Sequence, residues 1–465
     1  MNVKFSVKDV INIVGGQPTP GDYTRAVSSV VIDSRQAAPG SLFVAFAGEK
    51  ADGHDFLSQC ARQGAVAALI ERDTPYRGEM VTIKSENTLA ALQRLAAWQR
   101  QRLRDLRVLA VTGSSGKTTT KELTAAVLAQ KYETFKSRGN HNNAIGLPLM
   151  IFEIEARQRL AVLEMGMSAP GEIRELCQIS RPSLGIITNI GEAHLEYLGS
   201  QEAIAAAKFE LAEGLAPGST LILNGDDPWQ RRRAQAGLEG IKVLFYGLGP
   251  ENSVQGTDIR ASQEGTSFTA VWPGGSIPIK LNLLGAHNVY NALAAFSAGL
   301  ALAVEPEGIA RGLAGAKGEG RRLQAFAVAD LTLIDDSYNA NPDSVGKALA
   351  VLGTFSGARR RVAFLGDMLE LGPESAEKHR QVGKEAARQG VDYLVAVGQY
   401  AGDLEYGAVL AGMKGKAVRT WADSEEALAS VDGLAPGDVV LVKGSLGVKM
   451  DKIVEAIKAR GTKKC

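Results

Sequence analysis

Short apolar runs recur along the chain, and most end in a glycine or in polar residues able to do chemistry. Residues 27–32, 41–47 and 65–70 read as strands, with a helix over 56–63 between the last two. A longer helix is predicted from 88 to about 104, because Leu89, Leu92, Leu95, Ala96 and Leu103 recur at helical spacing with Arg and Gln opposite them. The polar stretch 100–105 then marks a first boundary. Beyond it, 108–112, 160–163, 183–187 and 220–223 are apolar strands with polar ends. That is the arrangement of a mostly parallel sheet whose ligands gather at its carboxyl edge. Residues 267–272 and 277–283, separated by Pro273-Gly274-Gly275, read as an antiparallel hairpin flanking that sheet, and a helix follows over 289–303. Glycines at 312, 315, 318 and 320 mark a second boundary. Strands at 331–334, 361–365, 393–397 and 439–442 then alternate with helices at 343–352, 374–389, 424–430 and 448–459. The pattern predicts an α/β protein of three domains. These are a small α/β domain over 1–105, a parallel-sheet domain with an antiparallel flank over 106–318, and a doubly wound, Rossmann-like domain over 319–465.

Composition narrows the class of function. At 465 residues, 45% hydrophobic and 22% charged, the chain has room for three ordinary cores. A net charge of +1 argues against general nucleic-acid binding and against a membrane-surface role. Cys60, Cys177 and Cys465 lie far apart without metal-ligand spacing, which suits a reducing compartment. The stretch Met1-Asn2-Val3-Lys4-Phe5-Ser6 lacks a signal-peptide apolar core, and no apolar run reaches 18 residues. The cytoplasm is therefore the expected location, with no membrane insertion.

The densest chemistry lies at Gly113-Ser114-Ser115-Gly116-Lys117-Thr118-Thr119, between the strand at 108–112 and a helix starting at Lys117. A glycine turn ahead of a helix N-terminus aims backbone N–H groups at an anion. Lys117 would reach the outer phosphates of a nucleotide, and Thr118 would hold Mg²⁺. Val111 stands where the strict P-loop pattern has glycine, so the turn is the shorter G-x-x-G-K-T. Glu164 and His194 end later strands. Each is either a solvated or core side chain or, with Thr118, part of a Mg²⁺ ligand set. Asn140, Asn142 and Asn143 make a polar loop or a set of amides for a polar substrate. Lys208, on a mostly apolar helix, reads as a snorkelling surface lysine. Asp33-Ser34-Arg35 is a solvated turn pair or a ligand loop. Asp52-Gly53-His54 precedes a helix, where His54 caps or packs rather than binding metal. Asp335-Asp336-Ser337-Tyr338-Asn339-Ala340-Asn341-Pro342 sets two carboxylates, an aromatic ring and two amides at one strand end.

Together these motifs resemble those of the Mur ligase family, from Asp33 to about Asp451. The short phosphate turn is the form that family uses, which accounts for Val111. By this resemblance Thr118, Glu164, His194 and Lys208 form the metal site, with Lys208 carried as a carbamate. Lys117, Lys208, His194 and Arg322 are the expected catalytic set. ATP is expected against Gly113, Ser114, Ser115, Gly116, Lys117, Thr118 and Thr119, with Asn288, Asn291, Arg322, Asp336, Tyr338 and Asn339. Arg322 stands beside Arg321, which leaves a one-residue ambiguity. Ser34, Arg35, Asp52, Gly53 and His54 are expected in a UDP-sugar domain, and Asn140, Asn142 and Asn143 at the peptide end of that substrate. The stretch from Asp335 to Pro342, Leu365-Gly366-Asp367-Met368-Leu369-Glu370-Leu371-Gly372 and Val442-Lys443-Gly444-Ser445 resemble the D-alanyl-D-alanine-adding type, and the D-N-P-R motif of diamino-acid-adding relatives is absent.

The resemblance implies an ATP-dependent amide ligase of peptidoglycan precursor synthesis. It would add D-alanyl-D-alanine to UDP-N-acetylmuramoyl-tripeptide through an acyl phosphate. ATP, two Mg²⁺ ions and carbamylated Lys208 are the implied cofactors, the partners are those small molecules, and a monomer is expected. A sister Mur or folylpolyglutamate-type ligase adding a single amino acid remains an alternative. So does a P-loop regulatory NTPase, from a different class. The identity of the third peptide residue, lysine or diaminopimelate, is left open.

Overall fold

The computed structural model describes residues 5–49, 51–192 and 195–462. The chain forms two compact units. One comprises Met1–Thr112, Tyr132–Gly185 and Glu210–Thr220, the other Gly113–Lys131, Ile186–Phe209 and Leu221–Cys465.

In the first unit, β1 (Gln17–Pro18), β2 (Ser29–Val31), β3 (Ser41–Val44), β4 (Ala67–Ile70) and β5 (Val81–Lys84) form a sheet of order β1-β5-β4-β3-β2. All pairs are parallel except β1 with β5. Every residue of β3 and β4 is buried, as expected of parallel strands covered on both faces. Helices α1 (Val7–Val14), α2 (Leu57–Arg62) and α3 (Thr88–Arg102) accompany it. The predicted strand over 27–32 is broken at Ser28: Ala26–Val27 pairs with Phe5–Ser6, and only β2 joins the larger sheet. Helix α3 buries Leu92, Leu95 and Ala96 as its spacing requires. The polar stretch predicted as a boundary begins inside this helix. Arg100 is buried and donates to the carbonyls of Ser180 (2.8 Å), Leu103 (3.0 Å) and Leu106 (2.9 Å).

A nine-stranded sheet follows, built from β6 (Arg107–Thr112), β7 (Thr134–Lys136), β8 (Leu160–Glu164), β9 (Leu184–Ile187), β10 (Thr220–Asn224), β11 (Lys242–Gly247), β12 (Val254–Ser262), β13 (Gly265–Trp272) and β14 (Gly275–Leu281). Its order is β14-β13-β12-β11-β10-β9-β6-β8-β7. The β6–β8 and β8–β7 pairs are parallel, and β13–β14 is the expected antiparallel hairpin. Helices α4 (Lys117–Leu128), α5 (Gly146–Glu153), α6 (Glu172–Ser180), α7 (Gln201–Glu213), α8 (Asn288–Ala301) and α9 (Pro306–Gly315) belong to this region.

The last sheet, order β15-β16-β20-β17-β18-β19, comprises β15 (Gln324–Val328), β16 (Leu331–Asp336), β17 (Arg360–Gly366), β18 (Tyr393–Val397), β19 (Val418–Trp421) and β20 (Asp438–Lys443). It is parallel except for the edge pair β15–β16. Helices α10 (Pro342–Gly353), α11 (Ser375–Arg388), α12 (Ala401–Leu410) and α13 (Asp451–Thr462) accompany it. Four elements depart from the predicted set, the unpredicted helix α12 among them. The edge strands β15 and β19 each bury a single residue, so they lack the apolar run that marks an interior strand. The segment expected as a helix at 424–430 is a 3₁₀ helix over Glu426–Gly433. No helix among the described residues is long and apolar enough to cross a membrane. Cys60 and Cys177 are buried free thiols, and Cys465 lies outside the described residues.

Candidate active site

Strand β6 runs into a turn that tolerates no side chain at two of its glycines. Gly113 sits at φ +145°, and a Cβ there would lie 1.8 Å from Thr188 Oγ1. Gly116 sits at φ +78°, with a Cβ position 2.5 Å from Asn291 Oδ1. Only glycine offers both the left-handed backbone and the close approach. The turn is clamped by the residues after β9. Thr188 Oγ1 donates to Ser115 O (2.6 Å), and the amides of Ser114 and Ser115 donate to Asn189 O (3.0 Å) and Oδ1 (2.8 Å). Gly191 N–H donates to Ser114 Oγ at 2.9 Å. Two turn amides thus serve the protein itself rather than pointing at an anion. The amides at the start of α4 are placed differently. Its first intrahelical bond runs from Thr120 N–H to Gly116 O (2.8 Å), so those ahead of it sit at the positive end of the helix dipole. Lys117 folds back over the turn, its Nζ donating to Gly113 O at 2.9 Å, and Thr118 is buried.

Asn288 and Asn291 support this turn from α8. Asn291 Oδ1 accepts from Thr120 Oγ1 (3.2 Å), Asn291 Nδ2 donates to Asn288 Oδ1 (2.8 Å), and Asn288 Nδ2 donates to Leu284 O (2.8 Å). Both side chains are buried. Their amides are therefore engaged in a network that holds Gly116 in place.

Lys208 corrects the sequence expectation. It does not snorkel: the residue is 1% exposed, on a helix face with Ile204, Ala205 and Leu211 buried around it. Burial, and then the neighbouring charge of Lys117, hold its amine well below the usual lysine range. Among the described residues its Nζ has no hydrogen-bond or ion-pair partner. An unpaired ammonium in such a place is unfavourable, so the position suits a neutral amine or a group of opposite charge.

In the first unit, Glu164 closes β8 and is buried rather than solvated. Its N–H donates to Ser137 Oγ (3.0 Å), and its Oε1 accepts from Asn142 Nδ2 (2.9 Å). The three asparagines separate in role. Asn142 is tied to Glu164, Asn143 Oδ1 accepts from the amides of Ile145 (3.2 Å) and Gly146 (2.8 Å) at the start of α5, and Asn140 is exposed. Asp33, Ser34 and Arg35 form a capped 3₁₀ turn in which Arg35 clasps Asp33 through Nε and Nη2, holding the Asp33 carboxyl down at about 2. Asp52 accepts from Arg72 and from His54, which lowers its pKa. His54 is buried, with Nδ1 on Asp52 (2.6 Å) and Nε2 accepting the Glu71 amide (3.0 Å). It packs at a helix start, as expected, and Gly53 lies against the Phe46 backbone. His194 lies outside the described residues.

The end of β16 gathers a charged cluster. Asp336 Oδ2 accepts from Lys443 Nζ (2.6 Å), and its Oδ1 accepts from Leu323 N–H (3.2 Å). Burial raises the Asp336 pKa. Lys443 also donates to Asn339 O (2.8 Å). This buried lysine was visible only as part of a motif, because its partner lies 107 residues away. The doubled arginine resolves into two environments. Arg321 is ion-paired with Asp451 at 2.9 Å, and the Arg322 guanidinium lies 4.2 Å over the Tyr338 ring. Among the described residues no three His, Cys, Asp or Glu side chains form a protein-only metal cage. Mg²⁺ characteristically takes one or two carboxylates together with phosphate oxygens and water, so the absence of such a cage is compatible with Mg²⁺ chemistry.

Three family models match successive parts of the chain: "Mur ligase family, catalytic domain" over residues 26–114, "Mur ligase middle domain" over 111–299 and "Mur ligase, glutamate ligase domain" over 321–446. The UDP-N-acetylmuramoyl-tripeptide--D-alanyl-D-alanine ligase of Bacillus subtilis is 37% identical over 457 residues, 97% of this chain and 98% of that protein. A crystal structure of MurF from Acinetobacter baumannii superposes with a TM-score of 0.89 at 31% identity, covering 98% of this chain and 100% of that one. MurF ligase from Thermotoga maritima in complex with ADP gives 0.82 at 28% identity, with 94% and 99% covered. These full-length likenesses, on a three-part α/β architecture with its glycine turn ahead of Lys117, establish that the chain belongs to the Mur ligase family.

Proposed function

We propose that this chain is an ATP-dependent ligase that joins D-alanyl-D-alanine to the terminal carboxylate of UDP-N-acetylmuramoyl-tripeptide, acting in the cytoplasm as a monomer. The observation that carries the reading is the full-length likeness to relatives named for this reaction. The domains proposed are 1–105 for the UDP-sugar, 106–318 for ATP and 319–465 for ligation. A carboxylate and an amine do not condense unaided in water. The terminal carboxylate of the tripeptide takes the γ-phosphoryl group of ATP, giving an acyl phosphate and ADP. The free amine of the dipeptide attacks its carbonyl, and phosphate leaves with the C–O bond pair.

Lys117 and Arg322 bear the charge that develops on the phosphoryl oxygens. Thr118, Glu164, His194 and Lys208 would hold Mg²⁺, which when bound supplies further charge neutralisation. Lys208 is suited to that set only as a carbamate: the neutral amine adds CO₂, losing a proton, and an uncharged buried group becomes an anionic oxygen donor. Asn288 and Asn291 keep the turn in shape, while Asp336 and Asn339 flank the nucleotide. Ser34, Arg35, Asp52, Gly53 and His54 serve the UDP-sugar, with Asn140, Asn142 and Asn143 serving the peptide. Tyr338 is proposed to stack on adenine or ribose. Tyr338→Ala is expected to raise the ATP KM roughly tenfold, and an unchanged KM would remove that role.

The reading is tested by phosphate release with ATP, UDP-N-acetylmuramoyl-tripeptide and D-Ala-D-Ala, omitting each in turn and replacing the dipeptide with single amino acids. Release is expected only with all three present. Release with ATP alone, or equally with a single amino acid, would overturn it.

A further inference from the structure

The linker between α9 and β15 is held at both of its ends by side chains, and one of these lies on the phosphate-binding helix. Lys121 is fully buried in α4. Four residues after Lys117, it lies on the same side of the helix. Its Nζ is 3.2 Å from Glu319 Oε2 and 3.3 Å from Glu122 Oε1. The contact with Glu122, the next residue of the same helix, is local to α4. Glu319, by contrast, stands in the linker between Gly318 and Gly320, three residues before Arg322.

The far side of the linker is tied just as closely to the last sheet. Arg321 pairs with Asp451, and its carbonyl accepts from Tyr338 N–H at 3.3 Å. Leu323 N–H donates to Asp336, and the Arg322 guanidinium covers Tyr338. Between these ties the backbone is strained, with Arg321 at φ +61° and Leu323 at φ +49°, a region that non-glycine residues occupy at a cost. A strained segment keeps its shape only while its anchors hold. On the helix side the linker is anchored by the ion pair of Lys121 with Glu319.

We propose that Lys121 is a positioning residue: its ion pair with Glu319 registers the linker against the phosphate-binding helix, so that Arg322 is set by the same helix that carries Lys117. The function of Arg322 here rests on the ligase reading, whereas the tether itself does not. A buried lysine with an acceptor on another element is expensive to maintain, and helix packing alone does not call for one.

The test uses full-length Glu319→Gln, a change at a partly exposed site that leaves the fold intact. Trypsin cleavage after Lys317, Arg321 and Arg322 is measured without substrates, and kcat and KM are measured by phosphate release. Linker cleavage is expected to accelerate about fivefold. The kcat is expected to fall roughly tenfold with the ATP KM within about twofold, because Lys117 and the turn are untouched. Glu319→Asp, which keeps the carboxylate, should recover part of the lost kcat. The double variant Lys121→Met/Glu319→Gln should be no slower than the slower single variant. Unchanged linker cleavage in Glu319→Gln, or single-variant losses that multiply in the double variant, would overturn the tether. Absence of ligation in the unmodified chain would instead overturn the ligase reading, and the cleavage measurement would still decide the tether.

Discussion

Lys117→Ala is expected to lower ligation turnover by about a hundred- to a thousandfold, the usual cost of removing one preorganised charge from a group-transfer site. The ammonium is held by a carbonyl of the turn, and its residue stands at the helix N-terminus. Its Nζ is 2.9 Å from Gly113 O, and its own residue opens α4. Alanine is a favourable residue in a helix, and Gly113, Gly116, Thr188 and Asn189 keep their mutual contacts without the lysine. The fold should therefore survive, with thermal unfolding close to that of the unmodified chain. Turnover should fall more than ATP affinity, because charge on the transferring phosphoryl oxygens is greatest in the transition state. Turnover within about tenfold of the unmodified chain would mean that Lys117 is not a phosphate ligand.

Lys208→Ala is the second large effect. Activity should fall by about a hundredfold or more, and part of it should return when a short-chain carboxylic acid is added to the buffer. The reasoning starts from burial. The amine is enclosed among apolar neighbours and beside the charge of Lys117, and both disfavour its protonated form. A neutral amine can take up CO₂, and the product carries the negative oxygen that a divalent cation seeks. Alanine leaves a void in which a small carboxylate can stand for that oxygen. Full activity in Lys208→Ala would make the residue structural only. A loss that no carboxylate restores would count against the carbamate. Circular dichroism of the variant separates either outcome from misfolding.

Some of this was legible in the chain because the signals were local. The strand at 107–112, the glycine turn and the helix from Lys117 form one continuous stretch, and each of its parts has a strong local rule. The same holds for α3, whose apolar spacing matches the buried face, and for the β13–β14 hairpin across Pro273-Gly274. Edge strands β15 and β19 gave no such signal, since an edge needs few buried residues. The helix over 401–410 also went unseen. It buries only Ala401, Leu404, Gly407 and Ala408, small residues that make a weak apolar stripe.

The chemistry divides in the same way. Residue types and their order determined the family, the phosphate turn and the set of candidate side chains, because these depend on short stretches of backbone. Tertiary structure alone decided which side chains were buried and what they touched. Lys208 looked like a surface lysine until its helix face was known. Thr188 and Asn189 clamp a turn more than 70 residues earlier in the chain. Arg321 and Arg322 are adjacent and chemically identical, yet one pairs with Asp451 and the other lies over Tyr338. Burial, pairing and strain arise where distant segments meet, and spacing along the chain does not encode that meeting.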